Sequence, residues 1–300
     1  MSRLYLVDAS VYVFRAWFSV ADGVTDTAGR QANAVFGYGR FLCDLIEREQ
    51  PDYIACAFDA SLTSSFRNEI YPAYKANRPL PPPELERQFA ECRALTSALG
   101  IPALAADRFE ADDLIGTMAT SLRDQVDGCV FVTADKDYAQ LLGEGDYWWD
   151  VSRDRWLDRD GAGTHIGVAP EQVADWLALA GDSIDNIPGV PGIGGKTAAS
   201  LLHALDSLDG IYDNPEAVSA LPLRGAKRIR RLLEAHREQA MLSRELSLIS
   251  RQAPAPESLI TLAWQGGCGQ AFERLALPVQ LSNRCRRLPF QTSQADEVPA

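Results

Sequence analysis

Nine carboxylates fall in five short clusters along the 300 residues: Asp8, Asp59, the triplet Glu110, Asp112 and Asp113, the pair Asp135 and Asp137, and the pair Asp182 and Asp185. Four of the clusters begin where an apolar run ends or a helical pattern starts. If one fold gathers them, so many carboxylates cannot all stay ionised without positive charge among them. An all-oxygen donor set suits magnesium or manganese rather than zinc or copper. Two such ions about 4 Å apart can hold the attacking and leaving oxygens of an in-line displacement, the chemistry of phosphodiester hydrolysis.

Each cluster also has a bland reading. In FEADDLIG the three acids open a helix whose N-terminal dipole favours negative charge, but three acids in four positions exceed what capping needs. Asp135 and Asp137 are two apart after a strand and can point the same way. Asp182 and Asp185, three apart, would share one face of a helical turn, and a solvated helix start explains them almost as well.

The positive side comes from Arg67, Lys75 and Arg78, with Tyr71 and Tyr74 between them. Cations can serve a charged transition state and aromatics can stack on bases, whereas a solvated loop would carry the same charges idly. Arg15, on the helix after Asp8, could reach the same phosphate or pair with one of the acids. The run GVPGIGGKT is not an ATPase phosphate loop, since that motif requires glycine where Val190 stands and a strand before it. A helix–hairpin–helix fits better, with Gly189, Gly192 and Gly194 turning tightly before a helix whose first amides face a DNA phosphate, and Lys196 adding charge. Downstream, Arg224, Lys227, Arg228, Arg230 and Arg231 lie within eight positions. They read as a patch that tracks a nucleic-acid backbone, against the alternative of a solvated face.

These side chains need elements to position them. Apolar runs at 4–7, 53–58, 102–105 and 129–133 alternate with helical patterns at 31–49, 84–99 and 110–125, which predicts a mostly parallel α/β sheet. In such sheets ligands bind outside the carboxyl ends of the strands, where Asp8, Asp59 and Asp135 fall. Residues 147–151 read as an edge strand. Residues 61–83 are polar, basic and proline-rich at the end, too long for an ordinary connection, so a functional or mobile loop is expected. Beyond about 165 the pattern is helical: 171–181, a helix through about His203, and one or two helices in 225–249. The division is an α/β domain over 1–165, a helical hairpin module over 166–252, and an extension over 253–300 with poor order expected from about 289.

Composition bounds the rest. The apolar fraction of 46% suits a globular chain with a sizeable core. The net charge of −12 falls to −3 once the nine clustered acids are set aside, so local charge rather than the total governs partners. The six cysteines form no paired motif and read as buried free thiols. Three scattered histidines argue against a zinc enzyme. Asp8 and Arg15 interrupt the apolar N-terminus, which is a first strand and helix rather than a signal peptide. No stretch approaches a membrane span, so a cytoplasmic protein is expected.

The segments LVDASVYVFRAWF, AFDASLTSSFR, YKANRP, EADDLIGTMA, TADKDYAQLL and GDSIDNIPGVPGIGGKTAASLL, in this order over roughly residues 3–250, resemble the bacterial 5′→3′ exonucleases and flap endonucleases, above all the N-terminal nuclease domain of bacterial DNA polymerase I. The resemblance implies a PIN-like domain with a helix–hairpin–helix module that grips duplex DNA. It implies a first metal at Asp8, Asp59, Glu110 and Asp112 and a second at Asp135, Asp137, Asp182 and Asp185, with Asp113 near both. The ions would be two Mg²⁺ or Mn²⁺, with K⁺ at the hairpin. Lys75, Arg78 and Arg15 would contact the scissile phosphate, Arg67 and Tyr74 the DNA, and residues 61–93 would arch over a 5′ single strand. A stand-alone, monomeric 5′ nuclease acting on flaps, nicks, gaps or 5′ ends in replication and repair is expected. The rivals are a non-catalytic DNA-structure binder and a PIN-type ribonuclease. The first would lack second-site acids, and the second is usually shorter and without the hairpin.

Overall fold

The computed structural model describes residues 2–60 and 64–291. A six-stranded sheet has the order β3-β2-β1-β4-β5-β6, with β1 Arg3–Asp8, β2 Tyr53–Ala57, β3 Ala103–Leu104, β4 Gly128–Val132, β5 Tyr147–Asp150 and β6 Arg155–Leu157. All neighbours are parallel except β5 and β6. The 147–151 run is therefore not the edge. Its hydrogen bonds on the far side go to β6, an antiparallel strand too short and charged to stand out in the sequence.

The central strands are apolar on both faces, as a sheet covered by helices on both sides requires. Leu4 and Leu6 of β1 enter one core and Tyr5 and Val7 the other. The second face is covered by α1 (Ala9–Ser19), α2 (Asn33–Glu49) and α4 (Pro83–Ala98). On the first face lies α5 (Ala111–Ser121), and its core continues without a break into a helical module. A five-residue helix, α3 (Phe66–Ile70), precedes α4, and α6 (Arg159–Ile166) follows the sheet.

The module comprises α7 (Val173–Ala180), α8 (Gly195–Leu205), α9 (Leu208–Asp213), α10 (Pro215–Ala220), α11 (Ala226–Ala235) and α12 (Arg237–Ser247). The 225–249 pattern is thus two helices. Two more short helices, α9 and α10, were hidden because each is too short to show a period.

Past 252 the chain is not a loose extension. It crosses back to the sheet domain, where Trp264 donates through its backbone to Asp52 and through its indole to Leu99. A small sheet of β7 (Gly267–Cys268) and β8 (Phe290–Gln291), with α13 (Gly269–Phe272) and α14 (Val279–Cys285), follows. Phe272, Leu277, Leu281 and Leu288 join the core of α2 and α4. Poor order expected from 289 onward meets a strand at 290–291, and the remainder lies outside the described residues. Five cysteines are buried, Cys268 is exposed, and all six are free thiols. Among the described residues no helix is long and apolar enough to cross a membrane.

Candidate metal centre and active site

The carboxyl edge of the sheet carries the site. The register pairs Asp8 with Ala57 and Val7 with Val132, so Asp8, Asp59 and Asp135 leave three adjacent strands at one level. Each carboxylate is held by the chain around it. Asp8 caps α1 through the Val11 amide and accepts from the Thr133 hydroxyl at 3.1 Å. Asp59 accepts from the Ala111 amide at 2.9 Å, joining the end of β2 to the start of α5. Asp135 accepts from the Asp137 amide at 3.0 Å. One pocket is lined by Asp8, Asp59, Glu110, Asp112, Asp135, Asp137 and Asp185, with Lys75 and Arg78 facing them. Seven of the nine carboxylates singled out in the sequence therefore share a wall.

Crowding shows in their proton affinities. Burial, then the charges of Asp59 and Asp135, pushes Asp8 up to about 7. Burial and Asp135 push Asp137 up to about 8. Withdrawal from bulk water within the pocket also raises Asp59, and Asp135 rises in the same direction although part of it stays exposed. Asp112 is raised strongly, by burial and then by Asp113. Glu110 goes the other way: burial opposes its charge, but Lys75 and Arg67 outweigh that and hold it low. Lys75 is held charged against burial, chiefly by Glu110.

The side chains stand in ion pairs. Lys75 Nζ lies 2.9 Å from Glu110, Arg78 pairs with Asp185, and Lys136 Nζ lies 3.0 Å from Asp182. Among the described residues no three Asp, Glu, His or Cys side chains are drawn tightly round one point. The donor set nevertheless fits hard divalent cations. It is all oxygen, it crowds excess negative charge into one pocket, and Asp137 Oδ1 has no hydrogen-bond partner, only the Lys136 ammonium at 3.5 Å. Ion binding would draw Glu110, Asp185 and Asp182 off their lysine and arginine partners.

Several expectations need correction. Asp113 is not on the pocket wall. It is fully buried, and its carboxylate accepts from Arg67 at 2.8 and 2.9 Å, from the Glu110 amide at 3.1 Å and from the Ser250 amide at 2.7 Å. Those bonds occupy its lone pairs. Arg67, only 1% exposed, also donates to the Leu246 and Leu248 carbonyls, so it clasps the helical module to the sheet domain and is no DNA contact. Tyr74 is buried and donates to Glu110 at 3.0 Å, leaving no face for a base. Asp182 and Asp185 sit on no helical turn. They lie in a loop closed by paired backbone bonds between Asp182 and Ile187, with Asp182 beside the pocket rather than on its wall. Arg15 stands two turns, roughly 10 Å, along α1 from Asp8. It is exposed and lines a groove with Tyr12, Phe36, Arg40 and Phe41, away from the acids.

The 61–93 region expected to form an arch divides into two parts. Residues 61–63 lie outside the described residues, and α4 packs on α2 as part of the helix layer. The span 64–82 reaches the pocket through Tyr74, Lys75 and Arg78, and it is fastened rather than loose. The Lys75 amide donates to the Asp185 carbonyl, Asn77 to Ser183 and Asn186 to Ala73. Lys75 itself has φ of +54°, a left-handed turn that aims its ammonium at the acids.

Lys136 was missed in the sequence. It stands between Asp135 and Asp137, and a cation inside an acid pair was the available signal. At the hairpin, Gly189 has φ of +60°, and a Cβ there would fall 2.3 Å from the Gly181 amide nitrogen. Gly192 is also left-handed and Gly194 caps α8, whose first turn exposes Lys196. Arg228 reaches this loop from α11, its guanidinium 3.8 Å from where a Gly192 Cβ would stand. Lys227 and Arg228 are exposed and make no ion pair among the described residues. Arg230, by contrast, is bound to Glu216 and Glu234.

Known proteins resemble this chain in sequence and in fold. Residues 3–167 match the family model of the 5′-3′ exonuclease N-terminal resolvase-like domain, and 168–268 that of the 5′-3′ exonuclease C-terminal SAM fold. DNA polymerase I of Pseudomonas aeruginosa is 41% identical over 82% of this chain, which spans only 27% of that protein's length. A 5′-3′ exonuclease of Buchnera aphidicola is 31% identical, with 83% of this chain covering 87% of it. The fold is that of the bacteriophage T5 flap endonuclease crystallised with DNA and metal ions, at TM-score 0.67 and 24% identity, over 82% of this chain and 88% of that one. It is also that of the catalytic core of Rad2 with DNA substrate, at TM-score 0.60 and 16% identity, over 95% and 90%. With both domain models matched in order and a near full-length relative beside them, the chain belongs to the 5′-3′ exonuclease family.

Proposed function

We propose that this protein is a divalent-metal-dependent 5′ nuclease, acting as a cytoplasmic monomer on DNA with 5′ flaps, nicks, gaps or 5′ ends and leaving 5′-phosphorylated products. The observation that carries the reading is the wall of seven carboxylates facing Lys75 and Arg78 across one pocket. Asp8, Asp59, Glu110 and Asp112 would hold one Mg²⁺ or Mn²⁺, and Asp135, Asp137, Asp182 and Asp185 a second. When bound, such ions supply an activated water and charge for the leaving oxygen.

The chain's own groups do the rest. Lys75 and Arg78, held charged by Glu110 and Asp185, would pass to the phosphate oxygens of the substrate as the carboxylates take up cations. The fastened 64–82 span limits approach to the pocket, which favours a single strand threading beside it over intact duplex. The hairpin amides at Gly192 and Gly194, with Lys196, Lys227 and Arg228, would follow the phosphates of the adjoining duplex, with K⁺ as a further ion at the hairpin.

The test is a set of labelled substrates, 5′ flap, gapped, blunt and 3′ flap, incubated with Mg²⁺ and with EDTA. Cleavage of the 5′ flap in Mg²⁺ alone supports the reading. Flap binding without cleavage in either condition would make the protein a DNA-structure binder. Preference for RNA of identical shape would make it a ribonuclease.

A further inference from the structure

Two thiols meet outside the acid pocket. Cys43 on α2 and Cys285, the last residue of α14, place their sulfurs 3.5 Å apart though 242 residues separate them. Both are fully buried. The meeting is enforced by its surroundings. A Cβ at Gly39 would fall 2.8 Å from both methyls of Leu281, so only glycine lets α14 lie this close to α2. On the outside, Arg284 reaches Asp44 at 2.7 Å and Glu47 at 2.6 Å, fixing α14 in register along α2. Nothing in the proposed nuclease chemistry uses either thiol.

We propose that Cys43 and Cys285 are a modification site, a dithiol that peroxide converts to a disulfide locking the C-terminal segment onto the sheet domain. The thiolate of one cysteine attacks a peroxide oxygen and the O–O bond breaks, giving a sulfenic acid and, after protonation, one water. The second thiol attacks the sulfenic sulfur, the S–O bond breaks, and a second water leaves. Two thiols and one hydrogen peroxide thus become one disulfide and two waters. The sulfurs need close only from 3.5 Å to about 2 Å to bond. The neighbouring Cys43 thiol favours the Cys285 thiolate against burial, and the charge of Arg284 acts in the same sense. Burial means the reaction waits for α14, seven residues long, to lift from α2.

The lock would close a loop of most of the chain and hold 253–291, which otherwise depends on noncovalent packing. The experiment uses the full chain carrying Cys268→Ser, which removes the exposed thiol. The protein is treated with hydrogen peroxide, in buffer and in urea below the unfolding midpoint, then alkylated, digested and mapped. The expected result is a peptide linking Cys43 to Cys285, a mass loss of about 2 Da, a melting temperature raised by about 5 °C, and reversal by dithiothreitol. Cys43→Ser and Cys285→Ser should each abolish the link and the rise. Free, alkylated Cys43 and Cys285 after both treatments, or a link through another cysteine, would overturn the proposal.

Discussion

At the scale of single residues, the site separates groups that meet substrate from groups that hold the walls. Under the proposed function Lys75 belongs to the first kind. Lys75→Ala should slow single-turnover cleavage of a 5′ flap by roughly a hundredfold or more, with little loss of flap affinity in Ca²⁺. An unchanged rate would remove it from the site. Asp113 and Arg67 belong to the second kind. Asp113→Ala leaves a buried guanidinium without its carboxylate, and breaking such a pair costs about 3–5 kcal/mol. Urea unfolding should show that loss whether or not metal is present. Asp137 tests the crowding itself. Its folded carboxyl keeps a proton up to about pH 8, whereas an unfolded one sheds it near 4. The group therefore favours the fold most below the unfolded value, and that contribution is lost as pH rises from about 4 to 8. In EDTA at neutral pH, Asp137→Asn should raise the melting temperature while weakening the further rise that Mn²⁺ gives the parent. A lower melting temperature in EDTA would show that the acids are not in conflict. Sequence spacing exposed the acids because the sheet brings strand ends together. It could not tell Asp113 from its neighbours, since one residue of helix rotation separates a pocket wall from a buried clasp.

At the scale of elements, the proposal gives the hairpin the duplex and the 64–82 span the approach to the pocket. The glycine run was legible because left-handed turns leave few other residue choices. Its role is testable without chemistry. Lys227→Ala with Arg228→Ala should weaken duplex binding alike across sequences and reduce the salt slope by about 2. Fluorescence anisotropy against salt concentration measures this, and an unchanged slope would mean that the cations are only a solvated face. The span over the pocket was less legible. Its composition signalled a loop, but the bonds that fasten it to 183–186 run between backbone and amide groups more than a hundred residues apart. Tyr74 and Arg67 looked like DNA ligands for the same reason, because residue type does not reveal which way a loop side chain turns.

At the scale of the whole molecule, one core runs from the first sheet face into the helical module, and the C-terminal segment closes the other face. Parallel strands with long apolar runs made the α/β half readable, down to the carboxyl edge as the place for a site. The closing segment was not readable, because its helices of four and seven residues carry no periodic signal and its packing partners lie early in the chain. The acid pocket sits where the two halves meet, lined by Asp8, Asp59 and Asp135 from one and by Asp185 and Leu246 from the other. The central claim, that this meeting point hydrolyses DNA with divalent ions, comes down to one comparison. Single-turnover cleavage of a 5′ flap in Mg²⁺ should be slower by orders of magnitude in Asp135→Asn than in the parent, with flap binding in Ca²⁺ retained. Equal rates in the two proteins would contradict it.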